Sequence, residues 1–553
     1  MNKMSLLTKE LEITLGPDTG DLHMRMGIHS GPVTAGVLRG ERSRFQLFGD
    51  TMNTAARIES TGVKGRIQLS QETADLLIAA GKSEWITPRD TKVHAKGKGE
   101  MQTYWLLLSD RSAQGTSTSG GEDIEDFDCD QESPNASVTE VSQMVQKVSS
   151  DKVVRLIEWN VDVLMRLLKQ IVARRRAAAL VQGNASSAAN EAASTLSGVQ
   201  SRATVIDEVK EIILLPKFNA KVAAKQEPYE NIQLDQVVCD QLRNYVTNVA
   251  ALYQDHPFHN FEHASHVAMS VSKLLSRIVA PSEIELDENA AKSGKTLHDH
   301  TYGITSDPLT QFACIFSALI HDIDHPGVPN TQLVKENARI AQFYKGKSVA
   351  EQNSVDLAWH LLMDDAYTDL RKTIYRSDES YKRFRQLVVN SVMATDIVDK
   401  ELKALRNARW AKAFDEKADL NEDARESISR KATIVIEHLI QASDVAHTMQ
   451  HWHIYRKWNE RFFLECYKAF LEGRSETDPS QGWYKGEIGF FDFYIIPLAK
   501  KVKDCGVFGV SSDEYLNYAE KNRKEWELRG QSIVEEMLQM ARKQLNADGR
   551  VEL

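Results

Sequence analysis

Cysteine is scarce in this sequence, with five in 553 residues. The cysteines are widely scattered, form no CxxC pair and are odd in number: Cys129, Cys239, Cys314, Cys466 and Cys505. This pattern predicts neither a disulfide framework nor a thiolate zinc site. A reducing, cytoplasmic compartment fits it best.

Long apolar runs are also missing. No run reaches the roughly 18 to 20 apolar residues that cross a bilayer. The first fifteen residues, MNKMSLLTKELEITL, carry acids where a signal peptide would be apolar. We therefore expect no membrane segment in this chain.

An excess of positive charge is absent as well. Lysine and arginine number 68 against 78 acids, a formal net charge of -10. No basic patch interleaved with aromatic residues offsets this charge locally, so we expect no nucleic acid partner.

The first 108 residues alternate β-like and helix-like patterns. Four short runs, MRMGIHSG, RFQLFGD, RIQLS and TYWLLL, are typical of strands, and the stretches near 51–60 and 71–80 of helices. An α/β domain is predicted here.

Residues 109–150 follow. They contain seven acids and no base between Gly121 and Glu132, which predicts an acidic disordered linker.

A helical pattern begins at Asp151, and its apolar positions are spaced three and four apart: Val154, Ile157, Val161, Leu164, Leu168 and Ile171. One interpretation is a dimerising coiled coil, and the other is a helix that packs on its own domain. A small-residue linker completes the segment 151–203. Residues 204–545 show helical periodicity with few β-rich runs, which predicts an all-α domain.

The strongest motif is HDIDHPGVPN, which places His321 and Asp322 side by side, with His325 and Asn330 following. An apolar stripe upstream puts the first two near the end of a buried helix. A neutral imidazole beside a carboxylate suits zinc, and a second carboxylate oxygen can bridge to magnesium or manganese. One aspartate could therefore hold two metals.

Two further clusters carry candidate ligands. FHNFEHASHV sets His259 and His263 four residues apart, which places them on one face if this segment is helical. IEHLIQASDVAHT places Asp444 one turn after Ile440, where burial of a carboxylate is costly unless a cation lies opposite.

These residues, in this order, resemble the catalytic domain of the class I cyclic-nucleotide phosphodiesterases over roughly 230–540. The resemblance implies a tight metal, usually zinc, on His263, His321, Asp322 and Asp444. It implies that Asp322 also bridges to a second ion, Mg²⁺ or Mn²⁺, whose waters His325, Glu351 and Thr395 support. His259 would protonate the leaving 3′ oxygen.

Purine recognition departs from the pattern of this family. In GEIGFFDFYIIPL, Phe490 fits the residue that stacks on the purine, but Glu487 occupies the position of the usual glutamine, and a purine-site asparagine appears as His447. An ionised carboxylate only accepts hydrogen bonds, which favours guanine, with two adjacent donors, over adenine. The alternative is that Glu487 faces solvent.

The segment MRMGIHSGPVTAGVLRGERSRFQLFGDTMNTAARIESTG, with AKGKGEMQTYWL after it, resembles the second half of a class III nucleotidyl cyclase domain, a ferredoxin-like α/β fold. The resemblance implies that Asn53 and Arg57 contact ribose and triphosphate, that Lys96 meets phosphate, and that Gln46 holds the base-reading position. The earlier half of that domain, with its two metal-binding aspartates, is not in this sequence. We expect the remnant alone to be inactive.

The sequence thus predicts a multidomain hydrolase that opens a 3′,5′-cyclic nucleotide, cGMP or cAMP, fused to a cyclase remnant. A homodimer through 151–175 or the cyclase segment is possible, and the chain could derive from a longer, membrane-anchored parent. Two alternatives stay open: an HD-type phosphohydrolase of other phosphate esters, and a catalytically silent module that binds cyclic nucleotide or dimerises.

Overall fold

The computed structural model of the chain describes residues 25–38, 44–48, 50–63, 66–95, 99–107, 138–182, 204–276, 290–414, 424–508 and 510–547. The chain divides into two compact units, residues 1–141 and 142–553. Each unit is treated by itself. Residues 109–137 of the predicted linker lie outside the described part.

The N-terminal unit is an α/β structure, as the sequence predicts. Its elements are β1 (Met26–Ile28), β2 (Thr34–Leu38), β3 (Arg44–Phe48), α1 (Asp50–Ser60), β4 (Ile67–Ser70), α2 (Gln71–Ala79), β5 (Ile86–Pro88), β6 (Val93–Ala95), β7 (Gly99–Met101) and β8 (Thr103–Leu106). Four strands form a sheet of order β1-β4-β8-β5, in which β1 and β4 are parallel. The pairs β2-β3 and β6-β7 are antiparallel.

Local chemistry explains how this sheet joins its helices. Ser70 caps α2 because its hydroxyl accepts the backbone N–H of Thr73. Gly27 of β1 lies directly against α1, where a β carbon would come within 2.2 Å of the Glu59 nitrogen. Only glycine allows this close approach of strand and helix.

The C-terminal unit is helical. Its helices are α3 (Val138–Gln182), α4 (Ala220–Lys225), α5 (Gln236–Leu252), α6 (Phe261–Ser276), α7 (Ala290–His300), α8 (Pro308–Ile320), α9 (Asn330–Lys335), α10 (Arg339–Phe343), α11 (Val349–Met363), α12 (Thr368–Ile374), α13 (Asp378–Met393), α14 (Lys400–Phe414), α15 (Ala424–Asp444), α16 (Trp452–Leu471), α17 (Trp483–Phe490), α18 (Ile496–Asp504) and α19 (Val510–Ala547). A five-residue π-helical turn, Phe491–Ile495, joins α17 to α18. The prediction of an all-α domain is confirmed.

Helix α8 forms the centre of this unit. Its residues from Pro308 to Ile320 are buried with the exception of Gln311. Its Phe316 ring stacks on Tyr245 of α5 at 5.7 Å and lies 5.4 Å from Phe384 of α13. A helix that is apolar on nearly every side can be stable only inside a shell of other helices.

Helix α3 differs from the sequence prediction in where it begins. It begins at Val138, inside the segment expected to be a linker as far as residue 150. Five of the six residues of its apolar stripe are buried within the core of its own chain: Ile157, Val161, Leu164, Leu168 and Ile171 are at most 8% exposed, whereas Val154 is 49% exposed. The stripe therefore packs on its own domain, so a coiled-coil dimer through it is not supported.

Polar contacts fix α3 against α6. The Asn160 side chain donates to the Ser265 hydroxyl at 3.0 Å, and the Lys152 ammonium lies 2.8 Å from the Glu262 carboxylate. Residues 151–182 thus pack against the helical domain.

Two further observations concern the cysteines and the helices of the described part of the chain. Its four cysteines are free thiols. Among its helices, none combines the length and the apolar character that crossing a bilayer requires.

Candidate active site

Three helices bring the predicted metal ligands together. His263 lies in the first turn of α6, His321 follows the last residue of α8, and Asp444 ends α15. Asn260 begins α6 by accepting the backbone N–H of His263 at 3.0 Å. Helix ends held by a packed core place their side chains rigidly.

The four side chains converge on one point. The Nε2 atom of His263 lies 3.1 Å from Oδ1 of Asp444 and 3.7 Å from Oδ2 of Asp322. The Nε2 atom of His321 lies 3.1 Å from Oδ2 of Asp322 and 3.4 Å from Oδ1 of Asp444. Sequence positions 181 residues apart thus form one cluster of two imidazoles and two carboxylates.

A divalent cation fits this cluster. Zinc bonds of about 2.1 Å in a tetrahedron require ligand atoms about 3.4 Å apart, close to the four separations observed. The Nδ1 atom of His321 donates to the Ala318 carbonyl, which leaves Nε2 directed at the cluster. That buried Nε2 has no partner of hydrogen-bond geometry among the described residues. In the neutral imidazole, with the proton on Nδ1, the Nε2 lone pair would face a metal held in the cluster.

The charges of the cluster agree with this interpretation. Burial alone would raise the pKa of Asp322, but the His321 imidazole holds it well below its usual range. The histidines His263 and His321 likewise hold the pKa of the Asp444 carboxyl below its usual range against the effect of burial. Both carboxylates are therefore ionised and form a negative centre for a cation.

A left-handed turn orients Asp322. Asp324, two residues further on, has φ of 57°. Its backbone N–H donates to Leu252 of α5, and its carboxylate accepts the side chains of Gln254 and Asn353. The turn is thus held from two neighbouring helices, α5 and α11.

His259 precedes α6 and is held by a buried carboxylate. Its Nδ1 atom lies 2.5 Å from Oε1 of Glu465 on α16. The other oxygen of Glu465 accepts the backbone N–H groups of Phe258 and His259, at 2.9 and 3.0 Å. Burial lowers the pKa of His259, but the Glu465 carboxylate outweighs this effect and raises it overall. The imidazole is held in one orientation.

Glu465 is the site residue that the sequence interpretation missed. It lies in the run RFFLECYKAF and is 2% exposed. A single acid inside an apolar helical run was the available signal, because a buried carboxylate needs a partner.

His325 stacks on His259, with ring centroids 3.8 Å apart. Burial and the neighbouring His259 lower the pKa of His325 to about 3, so its imidazole is neutral. Atoms of His259, His325 and Glu465 also lie within 4.8 Å of one another.

A cavity of about 460 Å³ opens beside this group. His325, Glu351 and Thr395 all border it, together with Asp396. Burial and the Asp396 carboxylate raise the pKa of Glu351 to about 8, and the Asn330 side chain donates to Glu351 at 2.9 Å. The three residues expected to support waters thus line one cavity.

Phe258 forms an aromatic wall behind the cluster. Its ring lies 4.6 Å from that of His263 and 5.6 Å from those of His447 and Trp458. Burial, followed by the charge of His263, lowers the pKa of His447 to about 3. His447 is thus a neutral imidazole close to the cluster of imidazoles and carboxylates.

Glu487 is buried at 9% exposure, so the alternative that it faces solvent is wrong. The Tyr455 hydroxyl donates to its carboxylate at 2.6 Å. Burial raises the pKa of Glu487 to about 7. Phe490 stacks on Tyr494 at 5.4 Å, one turn of helix further on.

The structure describes three of the four residues that the cyclase resemblance singled out. Asn53 and Arg57 are both exposed, four residues apart on α1. Gln46 pairs with Gly36 across the β2-β3 ladder. Lys96 lies outside the described residues.

Family comparisons define the class of each region. Residues 258–507 match the model described as 3′5′-cyclic nucleotide phosphodiesterase. Residues 2–108 match the model for the adenylate and guanylate cyclase catalytic domain. Both resemblances predicted from the sequence are confirmed. The chain thus carries one region that matches the cyclic nucleotide phosphodiesterase family and another that matches the nucleotidyl cyclase family.

Individual relatives fall into the same two groups. A probable 3′,5′-cyclic-AMP phosphodiesterase of Caenorhabditis elegans is 25% identical over 329 residues, 58% of this chain and 44% of that protein. Soluble guanylate cyclase 89Da of Drosophila melanogaster is 50% identical over 90 residues, 16% of this chain and 13% of that protein. The chain spans less than half the length of either relative.

One solved structure, the phosphodiesterase domain of a rhodopsin phosphodiesterase from Salpingoeca rosetta, matches with a TM-score of 0.42 and 20% identity. The match covers 62% of this chain and 93% of that one.

Proposed function

We propose that this chain hydrolyses 3′,5′-cyclic nucleotides to nucleoside 5′-monophosphates with two divalent cations. The observation that carries the proposal is the convergence of His263, His321, Asp322 and Asp444 next to an imidazole fixed by a buried carboxylate. The match of residues 258–507 to the phosphodiesterase family supports the same reaction.

The four converging residues would hold the tight cation, zinc, and Asp322 would also bridge to a second cation, Mg²⁺ or Mn²⁺. When bound, two such cations polarise a phosphate and lower the pKa of a water. Asp322 and Asp444 would set the positions of the cations from rigid helix ends. Glu351 and Thr395 would hydrogen-bond waters from the cavity side.

His259 would serve as the general acid. Glu465 accepts the Nδ1 proton, which leaves Nε2 to hold the proton that the leaving 3′ oxygen requires. The stacked, neutral His325 ring keeps His259 in position without adding a second positive charge. Because the proton donor is already held in one orientation, the reaction does not pay the entropy of orienting a free side chain.

Glu487 would read the purine edge, with Phe490 against its face. Its pKa of about 7 means that the ionised form, which favours guanine, becomes dominant only above neutral pH. The ratio of kcat/KM for cGMP over cAMP should rise with pH through about 7. In Glu487→Gln this rise should disappear, and an equal rise in both proteins would remove Glu487 from purine recognition.

For residues 2–108 we propose no catalysis of their own. Asn53 and Arg57 are retained on one exposed helix face, but the resemblance covers the second half of the cyclase domain and does not include the family's metal-binding aspartates. Formation of cyclic nucleotide from GTP or ATP by the purified 553-residue chain would overturn this point.

The experiment is hydrolysis of cAMP and cGMP by the purified chain with Mg²⁺, with products separated by chromatography. The proposal expects 5′-monophosphates, loss of turnover after removal of cations by a strong chelator, and recovery when Zn²⁺ and Mg²⁺ return. Turnover that survives chelation, or a 3′-monophosphate product, would contradict it.

A further inference from the structure

Four arginines surround a second cavity, which shares no lining residue with the one beside the metal cluster. Its volume is about 360 Å³. It is bordered by the C-terminal part of α3, the start of α8 and the α12–α13 junction, and the arginines are Arg174, Arg175, Arg376 and Arg383. The proposed hydrolysis uses none of them.

The charge of this arginine cavity is not balanced by the described residues that line it. Asp307 is the single acid among them, and it lies 3.5 Å from Arg383. Asp307 is also engaged by the Thr310 hydroxyl at 2.8 Å. Four positive charges and one negative leave a formal excess of three positive charges around one small volume.

The hydrogen bonds of Arg175 do not cancel its charge. Its guanidinium donates to the carbonyls of Lys372, Thr373 and Ile374 at the end of α12, at 3.4, 3.0 and 3.3 Å. These carbonyls are neutral acceptors. Burial, and then repulsion by Arg376, lowers the pKa of Arg175 to about 10.

One arginine donor within the group is unused. The Nε of Arg383 is buried and makes no hydrogen bond among the described residues. The hydroxyls of Ser377 and Ser380 also border the cavity. Buried donors that lack a partner destabilise a fold unless something accepts from them.

We propose that this arginine cavity binds a dianionic phosphate group, carried by inorganic phosphate or by a small phosphomonoester. Guanidinium groups match phosphate oxygens through paired N–H donors, and several of them favour a dianion over a monoanion. A phosphomonoester dianion satisfies both features, whereas a cyclic phosphodiester carries one charge. The bound group would join α3 to the α12–α13 junction.

The test is isothermal titration of the purified full chain, cations left as purified, with inorganic phosphate, with a nucleoside 5′-monophosphate and with dimethyl phosphate. The double variant Arg174→Gln/Arg376→Gln removes two charges and leaves the Arg383–Asp307 pair intact. Arg176→Gln is the matched control, because Arg176 is exposed on the same helix and does not line the cavity.

The proposal expects one saturable phosphate site per chain that the double variant weakens at least tenfold and the control leaves unchanged. Dimethyl phosphate should bind at least tenfold more weakly than phosphate. If the double variant weakens binding of the 5′-monophosphate alone, the carrier is a phosphomonoester, and if it weakens binding of both compounds equally, the phosphate group alone is recognised. If wild type and the double variant bind both compounds equally well, or if wild type binds neither, the proposal is overturned. Hydrolytic activity is not needed for this result, so the two proposals fail separately.

Discussion

The Nδ1 atom of His259 lies 2.5 Å from Oε1 of Glu465, and the second oxygen of that carboxylate accepts two backbone N–H groups. The backbone bonds fix the carboxylate, and the carboxylate fixes the ring. The orientation of the proposed acid thus originates in α16, some two hundred residues away along the chain.

Glu465→Gln tests this relationship. The amide oxygen of glutamine can still accept the backbone N–H groups, but its NH2 group then faces the Nδ1–H of His259, donor against donor. We therefore expect kcat to fall by about 10 to 100-fold. KM and zinc content should stay unchanged, since Glu465 acts by positioning His259. Glu460→Gln on the same helix is the control. An increase in KM with constant kcat would contradict this role.

Asp444→Asn tests the tight cation site. An amide oxygen is a weaker ligand, and the change removes one of two charges that attract the cation. We expect tightly bound zinc, measured by elemental analysis after dialysis, to fall from about one per chain to well below half. Asp504→Asn is the control, because Asp504 is also the last residue of a helix but is exposed. This variant should retain the zinc content of the wild type. Full zinc content in Asp444→Asn would exclude this ligand.

Glu487 should make stability depend on pH in a defined direction. Burial raises its pKa from 4.5 to about 7, so the folded chain binds this proton more tightly than the unfolded chain. The stabilisation is complete below pH about 4.5 and is lost as pH rises through about 7. Relative to Glu487→Gln, the wild type should lose on the order of 2 to 3 kcal/mol from pH 4.5 to 8.

Chemical denaturation at several pH values measures this difference. Subtraction of the Glu487→Gln curve removes the contributions of other titrating groups. A difference that does not vary with pH would show that the buried carboxyl is not perturbed.

Leu168→Ala tests the packing of α3. Leu168 is fully buried, so truncation should cost about 2 to 5 kcal/mol of unfolding free energy. Leu180→Ala on the same helix is the control, because Leu180 is 61% exposed. A change in oligomeric state with little loss of stability in Leu168→Ala would instead favour a dimer contact.

Motifs made most of the metal cluster predictable. The HDIDH run and the position of Asp444 after Ile440 combine helical periodicity with side-chain chemistry. Both features depend on the local sequence and not on contacts between distant residues. Glu465 has no such motif, and its role depends on a contact with His259 that only the packed helices create. The burial of Glu487 was left open for the same reason.

The boundaries of the domains were less predictable. The apolar stripe of α3 has the same spacing whether it faces a second chain or its own core, so periodicity could not choose between them. The choice lies in polar contacts such as that of Asn160 with Ser265. Helix α3 also begins before the stripe does, at Val138, which apolar spacing could not reveal.

The most direct measurement of the central claim is kcat for cAMP and cGMP by wild type, Asp444→Asn and His259→Ala, with bound cations counted in each sample. The account predicts turnover by wild type, loss of turnover and zinc in Asp444→Asn, and a fall of about 10² to 10⁴-fold in His259→Ala with zinc retained. If folded, zinc-loaded wild type hydrolyses neither nucleotide, the claim of catalysis is contradicted, and binding of cyclic nucleotide without chemistry becomes the function to test.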